Sequence, residues 1–156
     1  MINGAPCIRG HRHFWEAHLG TTYRIFPDQG VVYVHFHGVI RVEESLALYQ
    51  RYIQDPGFRP GQKQLVDFSE VEELILDVPK ILEMQAFKAA QLACLSAQTM
   101  MGFYAPTEVG RMMAAMSIRS WDGFDHVASS VLVTEDEVLA FLGLKETRIS
   151  DLLAKA

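Results

Sequence analysis

The sequence predicts an α/β domain in which a mixed, mostly parallel β-sheet begins with an N-terminal hairpin and is flanked by helices. Two runs of β-branched and aromatic residues lie near the start of the chain, separated by a four-residue turn. Beyond them, segments with helical apolar spacing alternate with short apolar runs. Strands that alternate with helices pair in parallel through right-handed crossovers, whereas the hairpin adds one antiparallel pair.

The first elements are an arm and the hairpin. Residues 1–20 show no regular period, so we expect an N-terminal arm whose aromatic side chains pack on the domain. Thr21–Phe26 and Val31–His37 are the two strands of the hairpin. Gly30 ends the turn between them, because glycine adopts a positive φ at little cost. A helical pattern over residues 41–54 follows.

The remaining elements continue this alternation. Asp77 is a candidate N-cap for a long helix that reaches about residue 98, and Thr107 opens the next helix. A last helix follows the capping-box pattern that starts at Thr134. We expect residues 145–156 to form a C-terminal tail, so that the domain itself spans residues 21–144. The predicted strands in this part of the chain are 64–68, 99–104 and 126–133.

Composition argues against several classes of function. The chain has 156 residues, enough for one domain that buries roughly two-thirds of its unfolded surface. The formal net charge is −5, and no basic stripe is present to neutralise nucleic-acid phosphates. Cys7 and Cys94 fit a reducing compartment better than a disulfide framework. Because the sequence shows neither a signal peptide nor a long apolar stretch, we expect a cytoplasmic protein with no membrane span.

Several segments carry a resemblance to a known family. They are Tyr23–Ile25, Val31–Val34, Gly38, Asp55–Gly61, Leu65–Ser69, Ala105–Pro106, Gly110–Met112 and Ala140–Gly143. Over about Thr21–Leu144 the chain resembles the STAS (SpoIIAA-like) family, and within it a branch of small bacterial proteins. The resemblance implies the STAS fold and a binding or regulatory module that acts on a protein partner or on a second copy of itself.

The same resemblance bears on regulation. The best-understood STAS proteins are anti-sigma-factor antagonists, which bind a partner kinase and are switched by phosphorylation of a serine. That serine lies at the start of the helix after the third strand, in a pattern that is roughly Asp-Ser-Ser-Gly. The matching residues here resemble Asp77-Val78-Pro79-Lys80. Because Val78 has no hydroxyl, we expect the usual phosphorylation switch to be missing at this position.

Five residues near strand ends mark a possible ligand crevice. In open α/β sheets, ligands bind beyond the carboxyl ends of the strands. A nucleophilic serine would need a positioned base, and no Gly-x-Ser-x-Gly elbow is present. Capping of loops or helices is the favoured role for the aspartate and serine of this set. The five residues are Gly38, Asp67, Ser69, Thr107 and Glu108.

The sequence offers weak signals for metal or cofactor binding. His35 and His37 project from one face of a strand, but no convincing third ligand accompanies them. We expect both imidazoles on a partly wet sheet face beside Tyr33. Glu70, Glu72 and Glu73 are expected in a solvated acidic loop. Neither Walker nor dinucleotide glycine spacing occurs, so we expect no metal and no cofactor, and we assign no catalytic residue.

The helix that starts after Asp77 carries two apolar arcs, one bulky and one made mainly of alanines. Only one arc is needed to cover a sheet, and burying the unpaired ammonium of Lys88 in the bulky arc is costly. We therefore expect the bulky arc to be partly open and to form a homodimer interface. The alternative is that a neighbouring helix or the N-terminal arm covers this second arc. Its residues are Ile81, Met84, Lys88, Leu92 and Leu95.

Three hypotheses about function follow. The leading one is a non-enzymatic STAS-like module that acts through protein–protein contact or self-association. The alternative is a small-molecule or lipid-binding module with an apolar pocket beside the sheet, as the resemblance to lipid-carrier-type STAS relatives suggests. The third is a small enzyme that uses His35, His37 or Asp67.

Overall fold

The computed structural model describes residues 20–92 and 97–155. The strands are β1 (Thr21–Phe26), β2 (Val31–Arg41), β3 (Lys63–Ile75), β4 (Thr99–Tyr104) and β5 (Val127–Leu132). The helices are α1 (Val42–Gln54), α2 (Val78–Leu92), α3 (Glu108–Arg119), α4 (Glu135–Phe141) and α5 (Ile149–Leu153). The strands form one sheet in chain order, with β1 antiparallel to β2 and the other three pairs parallel. The predicted α/β architecture, a mixed and mostly parallel sheet with flanking helices, is confirmed.

The hairpin forms where the turn residues predict it. Pro27–Gln29 make a 3-10 turn, and Gly30 follows with a φ of 61°. Its backbone N–H donates to the carbonyl of Pro27 at 3.2 Å, which closes the turn and sets Phe26 opposite Val31. A β-branched residue at Gly30 would strain this conformation.

Strand β3 is longer than the sequence predicts. The prediction of a solvated loop at residues 70–73 is wrong, because β3 continues through these residues to Ile75 beside β2. Two register shifts between β2 and β3, one before His37 and one after Gly38, each place an extra residue in β3 and allow the pairing to continue. Val71 is buried, while the glutamates beside it stay exposed. Backbone pairing and the burial of Val71 thus outweigh the low strand propensity of glutamate.

Two of the predicted helix caps are confirmed. The Asp77 carboxylate accepts a hydrogen bond from the Lys80 backbone N–H at 3.2 Å, just before the first turn of α2. Thr107 Oγ1 accepts from the Gly110 backbone N–H at 3.0 Å at the start of α3. These hydrogen bonds satisfy N–H groups that a helix start leaves without partners. Among the described helices, none is long and apolar enough to cross a membrane.

The sheet buries both of its faces. On the first face, alternate residues such as Val34, Val66 and Phe103 pack under α1 and α3. Helix α2 lies beside α1, where the Phe87 and Tyr49 rings meet edge to face at 6.1 Å. On the second face, alternate residues that include Leu65 pack under α4 and α5.

The C-terminal residues belong to this second core. We expected a tail over 145–156, but residues 149–153 form α5, whose Ile149 and Leu152 are buried. Glu135 in α4 accepts a hydrogen bond from the Ile149 backbone N–H at 2.9 Å, which ties the two short helices together. The predicted packing of the N-terminal arm concerns residues 1–19, which lie outside the described residues.

Candidate functional site

An apolar cavity of about 130 Å³ lies on the first face of the sheet, between the strands and helices α1 to α3. Its floor comes from three neighbouring strands, each of which contributes two residues spaced by two positions. This spacing puts both side chains of each strand on the same face. The floor residues are Val34, Phe36, Val66, Phe68, Met101 and Phe103.

The walls of the cavity are helical. Helix α1 contributes residues at helical spacing from Val42 to Tyr52, and α3 contributes Met113 and Met116. Trp121, just after α3, closes one side. A few polar side chains interrupt the apolar lining, and these are Ser45, Gln64, Gln85, Ser117 and Ser120. The cavity is therefore apolar at its floor, with scattered polar groups in its lining.

Among the described residues that line the cavity, Lys88 of α2 is the one with a charged side chain. Its Nζ donates to Ser120 Oγ at 3.4 Å and lies 4.8 Å from the centre of the Trp121 ring. Desolvation by burial lowers the pKa of this amine from 10.5 to about 8. The protein therefore holds a cation in apolar surroundings, with a hydroxyl and an indole face as its neighbours.

The other titratable groups in the described lining are two tyrosines of α1. Burial raises the pKa of both Tyr49 and Tyr52, so both hydroxyls stay protonated at neutral pH. Tyr52 donates to Gln62 at 2.7 Å, which holds its ring in the wall. At neutral pH the described lining thus carries one positive charge and no negative charge.

Three members of the predicted interface arc contribute to the cavity. Ile81, Met84 and Lys88 line it and are each partly exposed. The opposite side of α2 stays exposed, and there Leu82 is 60% accessible. The bulky side chains reach across the space between the helices and the sheet, which alanines are too small to fill. Leu95 and the side chain of Leu92, the other two members, lie outside the described residues.

The predicted crevice residues have separate local roles. Asp67 alternates with the first-face residues of β3, so its carboxylate lies on the second face and accepts from the Tyr33 hydroxyl at 2.7 Å. The same carboxylate accepts from the Ser69 backbone N–H at 2.9 Å. Thr107 caps α3, and Glu108 is exposed in the first turn of that helix. Gly38 lies between the two register shifts of the β2–β3 pair, with a φ of 71°.

The two histidines of β2 lie where the alternation puts them. His35 is half-buried against the Tyr33 ring, and its Nε2 lies 2.6 Å from Glu70 Oε2. His37 is exposed, with its ring centre 5.5 Å from that of His35. In residues 20–92 and 97–155, no three His, Cys, Asp or Glu side chains are grouped to hold a metal ion.

Comparisons with known proteins give no family for this chain: no protein-family model matches it, and no curated protein is significantly similar to it. The geometry of the cavity is therefore the main guide to function. Sequence reasoning singled out Lys88 as costly to bury, and the family resemblance suggested an apolar pocket beside the sheet, but neither placed Lys88 in the lining of that pocket. The sequence signal for the cavity floor was the apolar residues at every second position on three strands. This alternation predicts an apolar sheet face but does not show which helices cover it.

Proposed function

We propose that this chain is a non-enzymatic, STAS-like module that binds a small, mainly apolar molecule in the cavity between the sheet and helices α1 to α3. The observation that carries the proposal is the cavity itself, about 130 Å³ over an apolar floor. Engineered apolar cavities of about 150 Å³ bind benzene, so this space suits a ligand, or part of one, of similar size. The STAS assignment rests on the sequence resemblance and agrees with the order of the elements. A cytoplasmic location is part of the same proposal.

The apolar floor of the cavity supports this proposal. The cavity of about 130 Å³ is partly open to solvent, so in the free protein water meets apolar side chains there. Transferring apolar surface from water to an apolar environment is favourable by roughly 25 cal/mol per Å². A ligand that fills the space restores contacts with the floor and the walls. Binding then stabilises the folded state by mass action.

Thermal unfolding in the presence of benzene and of hexanol tests the proposal, together with NMR titration to locate the shifted resonances. We expect a rise in Tm and shifts centred on the floor of the cavity. The filled variant Ser45→Leu places a larger apolar side chain in the wall and should abolish the rise. The matched control Ser150→Leu changes an exposed serine outside the cavity lining and should leave it intact. A wild type that neither ligand stabilises or shifts would contradict the proposal.

Self-association is a second candidate function. Exposed apolar residues just before α2 and in its first turns favour it. Leu76, Val78 and Leu82 are 56%, 65% and 60% accessible, and all three lie within seven residues of the chain. Val78 occupies the position where the STAS resemblance expects the phosphorylated serine, so such a contact would form without that switch. A second copy of the chain would cover this apolar surface through a two-fold interface.

Light scattering across a micromolar dilution series tests this candidate. We expect a homodimer that Leu82→Glu converts to a folded monomer. The matched control Met112→Glu changes an exposed apolar residue of α3 and should leave the dimer intact. A wild type that is monomeric at every concentration would exclude the dimer.

A further inference from the structure

The Lys88 ammonium has unused capacity for hydrogen bonding. An ammonium has three N–H donors, and the described structure uses one of them in a long contact of 3.4 Å to Ser120. The Ser120 hydroxyl donates its own proton to the Ser117 carbonyl at 2.6 Å, so its oxygen lone pair faces Lys88. No carboxylate of the described residues lies within 4.0 Å of the lysine nitrogen. The cavity thus presents a cation whose other donors point to no described protein acceptor.

We infer that Lys88 binds the carboxylate of a small organic acid whose apolar body fills the cavity. This inference rests on the proposed function and names its ligand class. A carboxylate near the Lys88 ammonium would neutralise the charge that burial disfavours and would accept the unused N–H groups. A dianion such as a phosphate monoester would leave an excess negative charge among apolar side chains. The single charge therefore favours a monoanion.

The size of the cavity limits the apolar body of this acid. A space of about 130 Å³ is slightly smaller than the cavity that holds one benzene ring, so the body has about six heavy atoms. Hexanoate and benzoate fit this space, whereas the chain of a long fatty acid would have to extend through the open side of the cavity. The floor of six apolar side chains would contact the body, and Lys88 in the helical wall would hold the head group.

The pH dependence of binding follows from the groups that line the cavity together with Lys88. Helix α1 contributes Tyr49 and Tyr52, both of which stay neutral below pH 10 because burial raises their pKa. The sheet contributes the uncharged Gln64, and Ser117 and Ser120 are the polar groups from the other side. Hexanoate binding should therefore be constant from pH 6 to about 7.5 and should weaken as Lys88 loses its proton above about pH 8.

Isothermal titration with hexanoate and with its neutral analogue hexanamide tests the inference. The proteins are the wild type, Lys88→Met, and the matched control Lys80→Met, which changes a partly exposed lysine of the same helix that lies outside the cavity lining. We expect Lys88→Met to weaken hexanoate binding at pH 7 by about tenfold or more, since a hydrogen bond to a charged group is removed. Hexanamide binding should change little, and Lys80→Met should bind both compounds as the wild type does. Lys88→Gln, which keeps a polar side chain without the charge, should lose hexanoate binding as well.

The two ligands separate this inference from the proposed function. If hexanamide binds and Lys88→Met leaves hexanoate affinity unchanged, the cavity binds ligands but Lys88 does not hold a carboxylate. A hexanoate affinity that falls equally in Lys80→Met would assign the effect to surface charge and overturn the inference. If neither hexanoate nor hexanamide binds, and benzene and hexanol fail too, the proposed function itself falls. Urea unfolding of each variant shows whether a loss of binding comes from a loss of fold.

Discussion

Replacing Lys88 with methionine should stabilise the ligand-free protein at neutral pH. The pKa of the amine falls from 10.5 to about 8 on folding, which corresponds to about 3 kcal/mol of unfavourable free energy for the charged form. The variant also loses the contact between the cation and the Trp121 ring, which contributes about 0.5–1 kcal/mol. The expected net gain is about 2 kcal/mol, or roughly 4–8 °C in Tm for a chain of this size.

The gain should depend on pH in a defined direction. Because the folded pKa of Lys88 lies below the unfolded value, the cost is fully present below about pH 8 and disappears above about pH 10.5. At pH 9.5 about 1 kcal/mol of the charge cost remains, and the neutral amine no longer makes a cation–ring contact. The stability gain of Lys88→Met should therefore be about 1 kcal/mol smaller than at pH 7. Tyrosine titration affects both proteins alike and cancels in the comparison.

Urea unfolding of the wild type, Lys88→Met and Lys80→Met at pH 7 and pH 9.5 measures these differences. Lys80 pairs with Glu83 on the exposed side of α2, so its replacement should change stability by less than about 1 kcal/mol at either pH. A Lys88→Met variant that is less stable than the wild type, or a difference that is the same at both pH values, would refute the reasoning. The ammonium would then be solvated, and an acidic ligand would gain little from it.

Three further predictions concern the second face of the sheet and the alkaline limit. Tyr33→Phe removes the hydrogen bond to the buried Asp67 carboxylate, so the free energy of unfolding measured in urea should fall by about 1.5–3 kcal/mol. The control Tyr104→Phe changes a less buried tyrosine of the same face and should alter this free energy by less than about 1 kcal/mol. Burial and the Asp67 hydrogen bond raise the pKa of Tyr33, so the free energy of unfolding should fall as the pH rises above 10. The fall should be smaller in Tyr33→Phe. If the free energy of unfolding falls equally steeply with pH in both proteins, the prediction is wrong. Gly102→Ala would put a methyl group 2.8 Å from Val138 Cγ2, so the free energy of unfolding should fall by about 1–3 kcal/mol and the Tm should be lower. An unchanged Tm would contradict this prediction and would mean that α4 shifts freely.

Local signals predicted much of the fold. The hairpin follows from a turn that ends in Gly30, and two helix starts follow from Asp77 and Thr107, whose side chains accept hydrogen bonds from the first helical turn. The alternation of apolar runs then predicts the crossovers and the mostly parallel sheet. Turns and helix caps depend on residues within a few positions of one another, so the sequence predicts them directly.

Features decided by distant residues could not be predicted in this way. Both arcs of α2 are visible in the sequence, but the position of α1 and α3 determines that Ile81 and Met84 face inward. The extension of β3 through Glu70–Glu73 depends on two register shifts against β2, where an extra residue in β3 breaks the simple alternation of side chains. The cavity depends on the relative placement of the sheet and three helices, which together line it. The resemblance suggested an apolar pocket beside the sheet, and the cost of burying Lys88 was the only signal from the residues themselves.

The second core has a consequence for the synthesis of the protein in the cell. Arg24 of the first strand donates a hydrogen bond to the Leu153 carbonyl of α5 across 129 residues of chain, and the apolar hairpin residues Phe26 and Val31 share a core with Ile149 and Leu152. At translation rates of about 5–20 residues per second, roughly 6–26 seconds pass between the synthesis of the hairpin and the synthesis of α5. The apolar face of the hairpin is open to chaperones and to other nascent chains during that time. Substitutions in the last helix should therefore first reduce the yield of soluble protein, before any change in ligand binding is seen.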